Sequence, residues 1–494
     1  MIQSRKMIFA VLFFLWNLLY FLQVLIHGYF ADLTIRPFDD ALKLLVSLYT
    51  SNGFIPYNDF AFVYPPGQII LNSLIQTDVQ LEFKLLALSA LLLSLPPVVY
   101  ILYTTRSLYY AGIVVLLLTI NLNIPANPYS ETLWITLVVF LFAYAANPGK
   151  RMLAALFLIS FFLFTLRWDR IIFLTVLFSA SLLINSFFQK KKNLINQTSL
   201  QKLTGMFLFS SIMGLYFIAA YLLILGINLD KASYFIFAVP FKIAAFRALP
   251  LFSSDVLSHG KIIYFFLLML VPLILKFINR TKSQKLQLPD LLAVILPLSV
   301  LPNSLGRIDI PHALPLITAL TLVYSYYALK NEIFFKIGLF LMILYIFHTF
   351  QLFILPNQKS HGPYDSQIQQ CKYKVKNLKY NSLFVGRNSY SHFVISYSNL
   401  YLVDPSKKPA SSYISDEPGL QNTCEDGKII SQELTSSQKP ILAFIETSKQ
   451  KKEPNLSSSM KSCEFIENWL KSHEFEKLDE CRVENAEFEI RLYK

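Results

Sequence analysis

Charge is scarce in this chain. Asp, Glu, Lys and Arg make up 15% of its 494 residues, hydrophobic residues make up 54%, and the mean hydropathy is +0.47. Soluble globular domains carry roughly 25% charged residues. The composition therefore excludes an ordinary soluble protein and points to a polytopic membrane protein. Cysteine is missing from residues 1–355, and all four cysteines lie in the tail, at Cys371, Cys424, Cys463 and Cys481. No spacing among them fits a zinc site. The first apolar run follows Arg5 and Lys6 and lacks a small-residue cleavage site. It is expected to be a transmembrane helix, not a removed signal peptide. No internal repeat is evident, which weighs against the repeat architecture of many transporters.

The charge that is present has a direction. The net charge is +13, with 25 basic and 13 acidic residues over 1–355 but 19 and 18 over 356–494. The excess belongs to the apolar part and lies in short loops, which is the footprint of orientation in a bilayer and not of nucleic-acid binding. The apolar runs predict about eleven transmembrane helices, from Met7–Ile26 through Leu81–Tyr103, Leu108–Leu122 and Leu203–Leu225 to Phe334–Leu355. The basic clusters at Lys150-Arg151, Lys190–Lys192, Lys276–Lys285 and Lys330 fall on one side with the N-terminus, the cytoplasmic side. The loop 226–260 holds an apolar segment expected to lie in the interface or to re-enter. The expected fold is thus an all-α polytopic membrane module over 1–355 with its N-terminus cytoplasmic, followed by an extracytoplasmic domain over 356–494.

That tail is polar. Short β-like runs at Ser382–Val385, Phe393–Ser396, Ile441–Ile445 and Phe488–Leu492 alternate with a helix-like stretch, Ser459–Ser472, which predicts a small α/β domain. Four cysteines in an extracytoplasmic domain favour disulfides in one of three pairings, with four free thiols as the alternative.

The most unusual stretch lies within the first outer loop, 27–80. Arg36 is followed by Asp39 and Asp40, then by Ala41, Leu42, Leu44, Leu45 and Leu48 at helical spacing, which predicts an amphipathic helix in the membrane interface. Gly53 and Pro56 stop it. Asp59 sits among Tyr57, Phe60, Phe62 and Tyr64, and Pro65-Pro66-Gly67 turns into a second short amphipathic segment, Gln68–Ile75. Other ionisable residues are expected on the same outer side: Arg167, Asp169 and Arg170, Lys242 and Arg247, and Arg307, Asp309 and His312. Charges at the ends of membrane helices are candidates for function. Arginine matches phosphate bidentately. A carboxylate accepts a proton from a hydroxyl or holds a divalent metal, for which Asp39 and Asp40 are the candidates. Each group also has a structural explanation: Asp39-Asp40 as a helix cap, Arg167–Arg170 as a salt bridge within a loop, Asp59 as a brace for its loop and the aromatics around Tyr64 as packing.

The order Asp-Asp, amphipathic helix, Gly53-x-x-Pro56-Tyr57-x-Asp59-Phe60 and Tyr64-Pro65-Pro66-Gly67 resembles the GT-C superfamily of polytopic glycosyltransferases, near the family 39 protein mannosyltransferases and the aminoarabinose transferases. Gly306-Arg307-x-Asp309-x-x-His312 is similar to a late outer-loop motif of that group, and the tail resembles theirs at Pro409–Tyr413 and Ser431–Ile445. The resemblance implies an inverting transfer of a hexose or pentose from a polyprenyl-phosphate donor to a glycan, lipid or protein acceptor. It alone implies that the membrane is a plasma membrane. It maps the catalytic carboxylate to Asp40 or Asp39. It maps donor-phosphate binding to Arg307 and Arg167, with Arg170, Lys242 and Arg247 behind them. Asp59, Asp169, Asp309, His312 and Tyr64 take supporting roles, and some members of the group use a divalent metal. The large β-trefoil insertion of protein mannosyltransferases is missing, which counts against a protein acceptor. The competing expectations are a transporter or flippase for lipid-linked glycans, a ligase or polymerase on the same carriers, and an assembly subunit without an active site.

Overall fold

The computed structural model describes residues 2–25, 39–73, 79–104, 107–123, 128–188, 197–247, 254–282, 286–306, 310–328, 364–390, 398–414, 421, 423–448, 463–483 and 486–494. In chain order the helices are α1 (Ile2–Leu25), α2 (Asp39–Ser51), α3 (Gly67–Ser73), α4 (Val79–Thr104), α5 (Leu108–Asn123), α6 (Pro128–Ala146), α7 (Lys150–Leu166), α8 (Trp168–Phe188), α9 (Gln197–Ile224), α10 (Leu229–Ser233), α11 (Val239–Arg247), α12 (Ser254–Lys282), α13 (Leu288–Gly306), α14 (Ile310–Ala328), α15 (Tyr364–Val375), α16 (Cys424–Ser436) and α17 (Phe465–Ser472). The strands are β1 (Ser382–Arg387), β2 (Lys408–Pro409), β3 (Ile441–Glu446), β4 (Phe475–Val483) and β5 (Ala486–Tyr493). The chain divides into two compact units. One holds Met1–Asp32, Phe83–Phe217 and Val256–Gln358, and the other holds Leu33–Glu82, Ile218–Asp255 and Lys359–Lys494. The second unit thus gathers the tail with two segments that the sequence reading assigns to outer loops of the membrane module.

The first unit is helical throughout its described residues. Helices α5, α6 and α14 are apolar on every face, as a buried or membrane-spanning helix must be. Trp134, Leu137 and Leu141 of α6 and Leu316, Ile317 and Val323 of α14 are fully buried. The Trp134 indole N–H donates to the Pro315 carbonyl at 3.2 Å and ties these two helices together. Helix α5 lies close against α1 because Gly112 has no side chain there: a Cβ would lie 2.8 Å from Phe13 Cδ1 and 3.3 Å from Phe14 Cα. On the outside, large apolar side chains are uncovered, among them Trp16 at 71%, Leu183 at 72% and Leu268 at 64% exposure. Apolar side chains this large and this exposed recur on α1, α8, α9 and α12, as helices facing lipid would carry them.

Among the described residues, four helices are long and apolar enough to cross a membrane: Tyr129–Ala146, Trp168–Phe187, Gln197–Ile224 and Leu288–Leu305. The expected spans near 7–26, 81–103 and 108–122 are helices, α1, α4 and α5. Met7–Leu25 of α1 and Leu85–Thr104 of α4 hold no Asp, Glu, Lys or Arg, and α5 has 16 residues. A span needs roughly 20 apolar residues. The expected last span, Phe334–Leu355, lies outside the described residues.

The second unit is built on a five-stranded sheet of order β2-β1-β3-β5-β4. Strand β1 runs parallel to β2 and β3, while β5 is antiparallel to β3 and β4. Every residue of β1 and β3 is buried, which explains their unbroken apolar runs: a strand covered on both faces has no polar alternation. The edge strand β4 carries Glu476, Lys477, Asp479 and Glu480, charges that discourage further strand pairing. Strands expected at Ser382–Val385, Ile441–Ile445 and Phe488–Leu492 are present, β2 and β4 are additional, and Phe393–Ser396 lies outside the described residues. The helix expected over Ser459–Ser472 begins at Phe465. All four cysteines pair: Cys371 of α15 with Cys481 of β4, Cα atoms 5.6 Å apart, and Cys424 of α16 with Cys463 just before α17, 5.0 Å apart. The free-thiol alternative is thereby excluded.

The first-loop segment folds onto this domain. Helix α2 is buried at Leu44, Leu45, Val46, Ser47 and Tyr49, so protein covers more of it than one apolar stripe. The Tyr49 ring packs 5.5 Å from Phe60 and 6.4 Å from Tyr401 of the 3-10 turn Ser398–Val403. Gly53, at φ +85°, ends the helix in the left-handed region that favours glycine. Asn52 Nδ2 donates to the Pro405 carbonyl at 3.0 Å, and Ala61 N–H donates to the Ser412 carbonyl at 2.6 Å.

Candidate functional site

In the first unit, polar residues collect where several apolar helices end. Arg167 follows the last residue of α7, and its guanidinium grips Asp169 of the first turn of α8 at 3.0 and 2.9 Å. The same guanidinium lies 3.4 Å from Asn303 Oδ1 in the last turn of α13. Arg170, one residue after Asp169, turns inward. It is 1% exposed, ion-paired to Glu131 in the first turn of α6, and its guanidinium carbon lies 5.8 Å from the centre of the Trp134 ring. Its Nη1 also lies 3.4 Å from the Ser130 carbonyl. His312, in the first turn of α14, is half-buried, and its carbonyl accepts from Ser304 Oγ of α13 at 3.0 Å. Arg167, Asp169, Arg170 and His312 thus share one end of this helix bundle, joined by Glu131 and Asn303, neither of which the sequence reading counted as a site residue.

The loop-bridge explanation of Arg167–Asp169 and an outward role for Arg170 part company here. Arg167 keeps some exposure (19%), whereas Arg170 is committed to Glu131 inside the bundle. Burying two charges costs several kcal/mol unless they meet each other. Arg307 and Asp309 lie between α13 and α14, outside the described residues.

In the second unit, Asp39 and Asp40 open α2, where a carboxylate favours the exposed N–H groups of a helix start. Their side chains, like that of Arg247 at the end of α11, lie outside the described set. Asp59 braces its loop: one carboxylate oxygen accepts the Ile55 N–H at 2.8 Å, and the other meets Lys408 of β2 at 2.6 Å. Tyr57 sits at φ +64°, costly for a bulky residue, and is held by two bonds, its N–H to the Phe60 carbonyl at 2.8 Å and its hydroxyl to the Tyr64 carbonyl at 2.7 Å. The Tyr64 ring itself packs 5.4 Å from Phe62.

Lys242 of α11 is not an open cation. Its ammonium donates to Asp426 at 2.6 Å and to the Tyr234 hydroxyl at 3.0 Å. Asp426 is fully buried in α16 and also accepts from the Tyr413 hydroxyl at 2.8 Å, from Tyr234 at 3.3 Å and from Thr423. Burial pushes the Lys242 pKa down, and its bonds to Asp426 and Tyr234 more than offset this, so the net shift is upward. Burial and the Asp426 charge push the Tyr413 hydroxyl far up. A second knot joins the same segments: Glu433 accepts from Ser411 and Ser412 at 2.7–2.9 Å and lies 3.7 Å from Lys231, whose ammonium donates to the Asn58 carbonyl at 3.0 Å. The residues 218–255, the first-loop segment and the tail are therefore pinned together by polar contacts. No local signal marks Asp426, because its partner Lys242 is 184 residues away. Among the described residues, no three His, Cys, Asp or Glu side chains are placed to share a metal ion. No protein-family model matches the chain, and no curated protein is significantly similar to it.

Proposed function

We propose that the protein is an integral-membrane glycosyltransferase of the GT-C type that moves a sugar from a polyprenyl-phosphate donor to an acceptor outside the cytoplasm. The observation that carries this reading is the gathering of Arg167, Asp169, Arg170 and His312 with Glu131 and Asn303 at one end of an apolar helix bundle. In this reading about eleven helices span the bilayer, the N-terminus is cytoplasmic and the tail lies outside. Two disulfides in the tail support that side, since disulfides persist in oxidising compartments.

The chemistry follows from the residue types. Asp40 or Asp39 takes the proton of the acceptor hydroxyl as general base. The hydroxyl oxygen bonds to the anomeric carbon, the bond from that carbon to the phosphate oxygen breaks, and polyprenyl phosphate leaves carrying the negative charge. Arginines stabilise that charge. The family resemblance assigns the donor phosphate first to Arg307 and Arg167; Arg167 is 19% exposed beside Asp169, whereas Arg170 and Lys242 are paired with Glu131 and Asp426.

The test is a transfer assay with purified protein, a panel of radiolabelled polyprenyl-phosphate sugars, and the variants Asp39→Ala and Asp40→Ala. Release of sugar from one donor, abolished in either variant, is expected. No turnover of any donor by folded protein refutes the reading. A transporter of lipid-linked glycans is the second reading, favoured by the Arg170–Glu131 pair among apolar helices. Movement of unmodified lipid-linked sugar across proteoliposomes would select it.

A further inference from the structure

Two clefts of the second unit flank helix α16 and share one lining residue, Ser436. The first has a volume of 330 Å³ and is lined by Asn58 and Asp59 from the first-loop segment and by Asn381, Lys408, Ser412 and Glu433 from the tail. The second, of 470 Å³, lies between α16 and α17 and presents Gln432, Thr435, Phe465, Asn468 and Trp469. Both fall in the lower part of the range for ligand sites, roughly 300–1,000 Å³.

We infer that these clefts are consecutive subsites for an oligosaccharide, the acceptor glycan of the transfer proposed above. The first cleft is polar but close to electrically balanced. Asp59 is matched by Lys408 at 2.6 Å, and Glu433 faces Lys231 at 3.7 Å. No basic surplus is available for a phosphate and no unmatched carboxylate pair for a cation. What remains is a wall of amides and hydroxyls that also bond within the protein, Ser412 to Glu433, Ser382 to the Gln438 carbonyl and Asn381 to the Lys439 carbonyl. This uncharged polar lining suits a neutral ligand dense in hydroxyl groups. The second cleft supplies the complement. Phe465 is 39% exposed, and it stands over a buried Trp469 that is fixed by its indole N–H donating to Thr435 Oγ1 at 3.1 Å and by stacking 4.4 Å from His473. Phe465 and Trp469 are one helical turn apart and line the same cleft. The exposed Phe465 ring can pack against the C–H face of a pyranose, while amides such as Gln432 and Asn468 both donate and accept and so pair with neighbouring hydroxyls. A chain of sugars has both kinds of surface along its length, and Ser436 joins the two clefts that would receive it.

The inference rests on the transferase reading only for the word acceptor, so binding is measured directly. Full-length protein in nanodiscs is titrated with maltotetraose, cellotetraose, mannotetraose and chitotetraose by saturation-transfer NMR. Hydrolysis of the polyprenyl-phosphate donors by the same samples is measured in parallel. At least one tetrasaccharide binds the wild type. Phe465→Ala weakens it about fivefold and Lys408→Ala also weakens it. Phe475→Ala, which removes a similarly exposed aromatic (41%) from β4, leaves it unchanged. Binding of none of the four, or equal weakening by Phe465→Ala and Phe475→Ala, overturns the inference. Donor hydrolysis without glycan binding removes the groove and leaves the transferase reading standing. Glycan binding without donor hydrolysis does the reverse.

Discussion

Replacing Lys242 with Met should unsettle the second unit, and by an amount that can be worked out. The substitution keeps the side chain's length and removes its charge. It strands Asp426, which is fully buried. Breaking a buried pair by removing one partner costs roughly 3–5 kcal/mol. Lys242 is itself 21% exposed, and Tyr413, Tyr234 and Thr423 still donate to the carboxylate, so the low end, about 3 kcal/mol, applies. In a unit of this size each kcal/mol moves the melting temperature by roughly 2–4 °C, giving a fall of about 6–12 °C. Scanning fluorimetry in detergent reads it, with Trp469 reporting from the second unit. The double variant Lys242→Met/Asp426→Asn should recover much of the loss, because no unpaired charge remains. The sign with pH is also fixed. The Lys242 pKa is raised in the folded state, so its contribution is fully present below the ordinary lysine value of about 10.4 and is lost only as pH rises past the folded value. The effect of Lys242→Met is therefore constant from about pH 6 to 9. A melting shift under about 1 °C, or a double variant no better than the single one, would show that the pair does not hold these segments together.

Three further outcomes are expected. Non-reducing peptide mapping finds Cys371–Cys481 and Cys424–Cys463 and neither alternative pairing, and Cys371→Ser, which opens a loop of 110 residues, costs roughly 2–5 kcal/mol in thermal stability. Arg170→Met leaves Glu131 buried and unpaired, so monodisperse protein on size-exclusion chromatography falls sharply, while Arg170→Met/Glu131→Gln restores most of it; equal loss in both would disprove the pairing argument. Gly112→Val drives a side chain into Phe13 and the α1 backbone, so α1 separates from α5 and stability drops by roughly 1–3 kcal/mol, whereas Gly149→Val, in open space, changes little.

The sequence and the structure divide the information along a clear line. Helix boundaries were legible where apolar runs end in charge or glycine: α4, α5 and α6 begin within a few residues of the expected Leu81, Leu108 and Glu131. The central strands β1 and β3 were legible for the same reason, since burial on both faces writes an apolar run into the chain. The edge strand β4 was not, because its outward residues are charged and its pattern resembles a loop. For α2, periodicity reports one apolar face but is silent about whether protein or lipid covers it, and only the structure shows Tyr49 meeting Tyr401.

The sequence by itself determined what is intrinsic to short stretches. It set the apolar helices, the excess of positive charge in the loops, the confinement of cysteine to the tail and the clustering of ionisable residues at helix ends. Only the tertiary structure decided which charges are spent on one another. Arg170 looks in sequence like Arg167, yet one is sealed against Glu131 while the other keeps partial exposure beside Asp169. Lys242 looks like an open cation until Asp426 arrives from 184 residues away. Pairing of this kind depends on distance in space, and a linear chain carries no record of distance between segments that far apart.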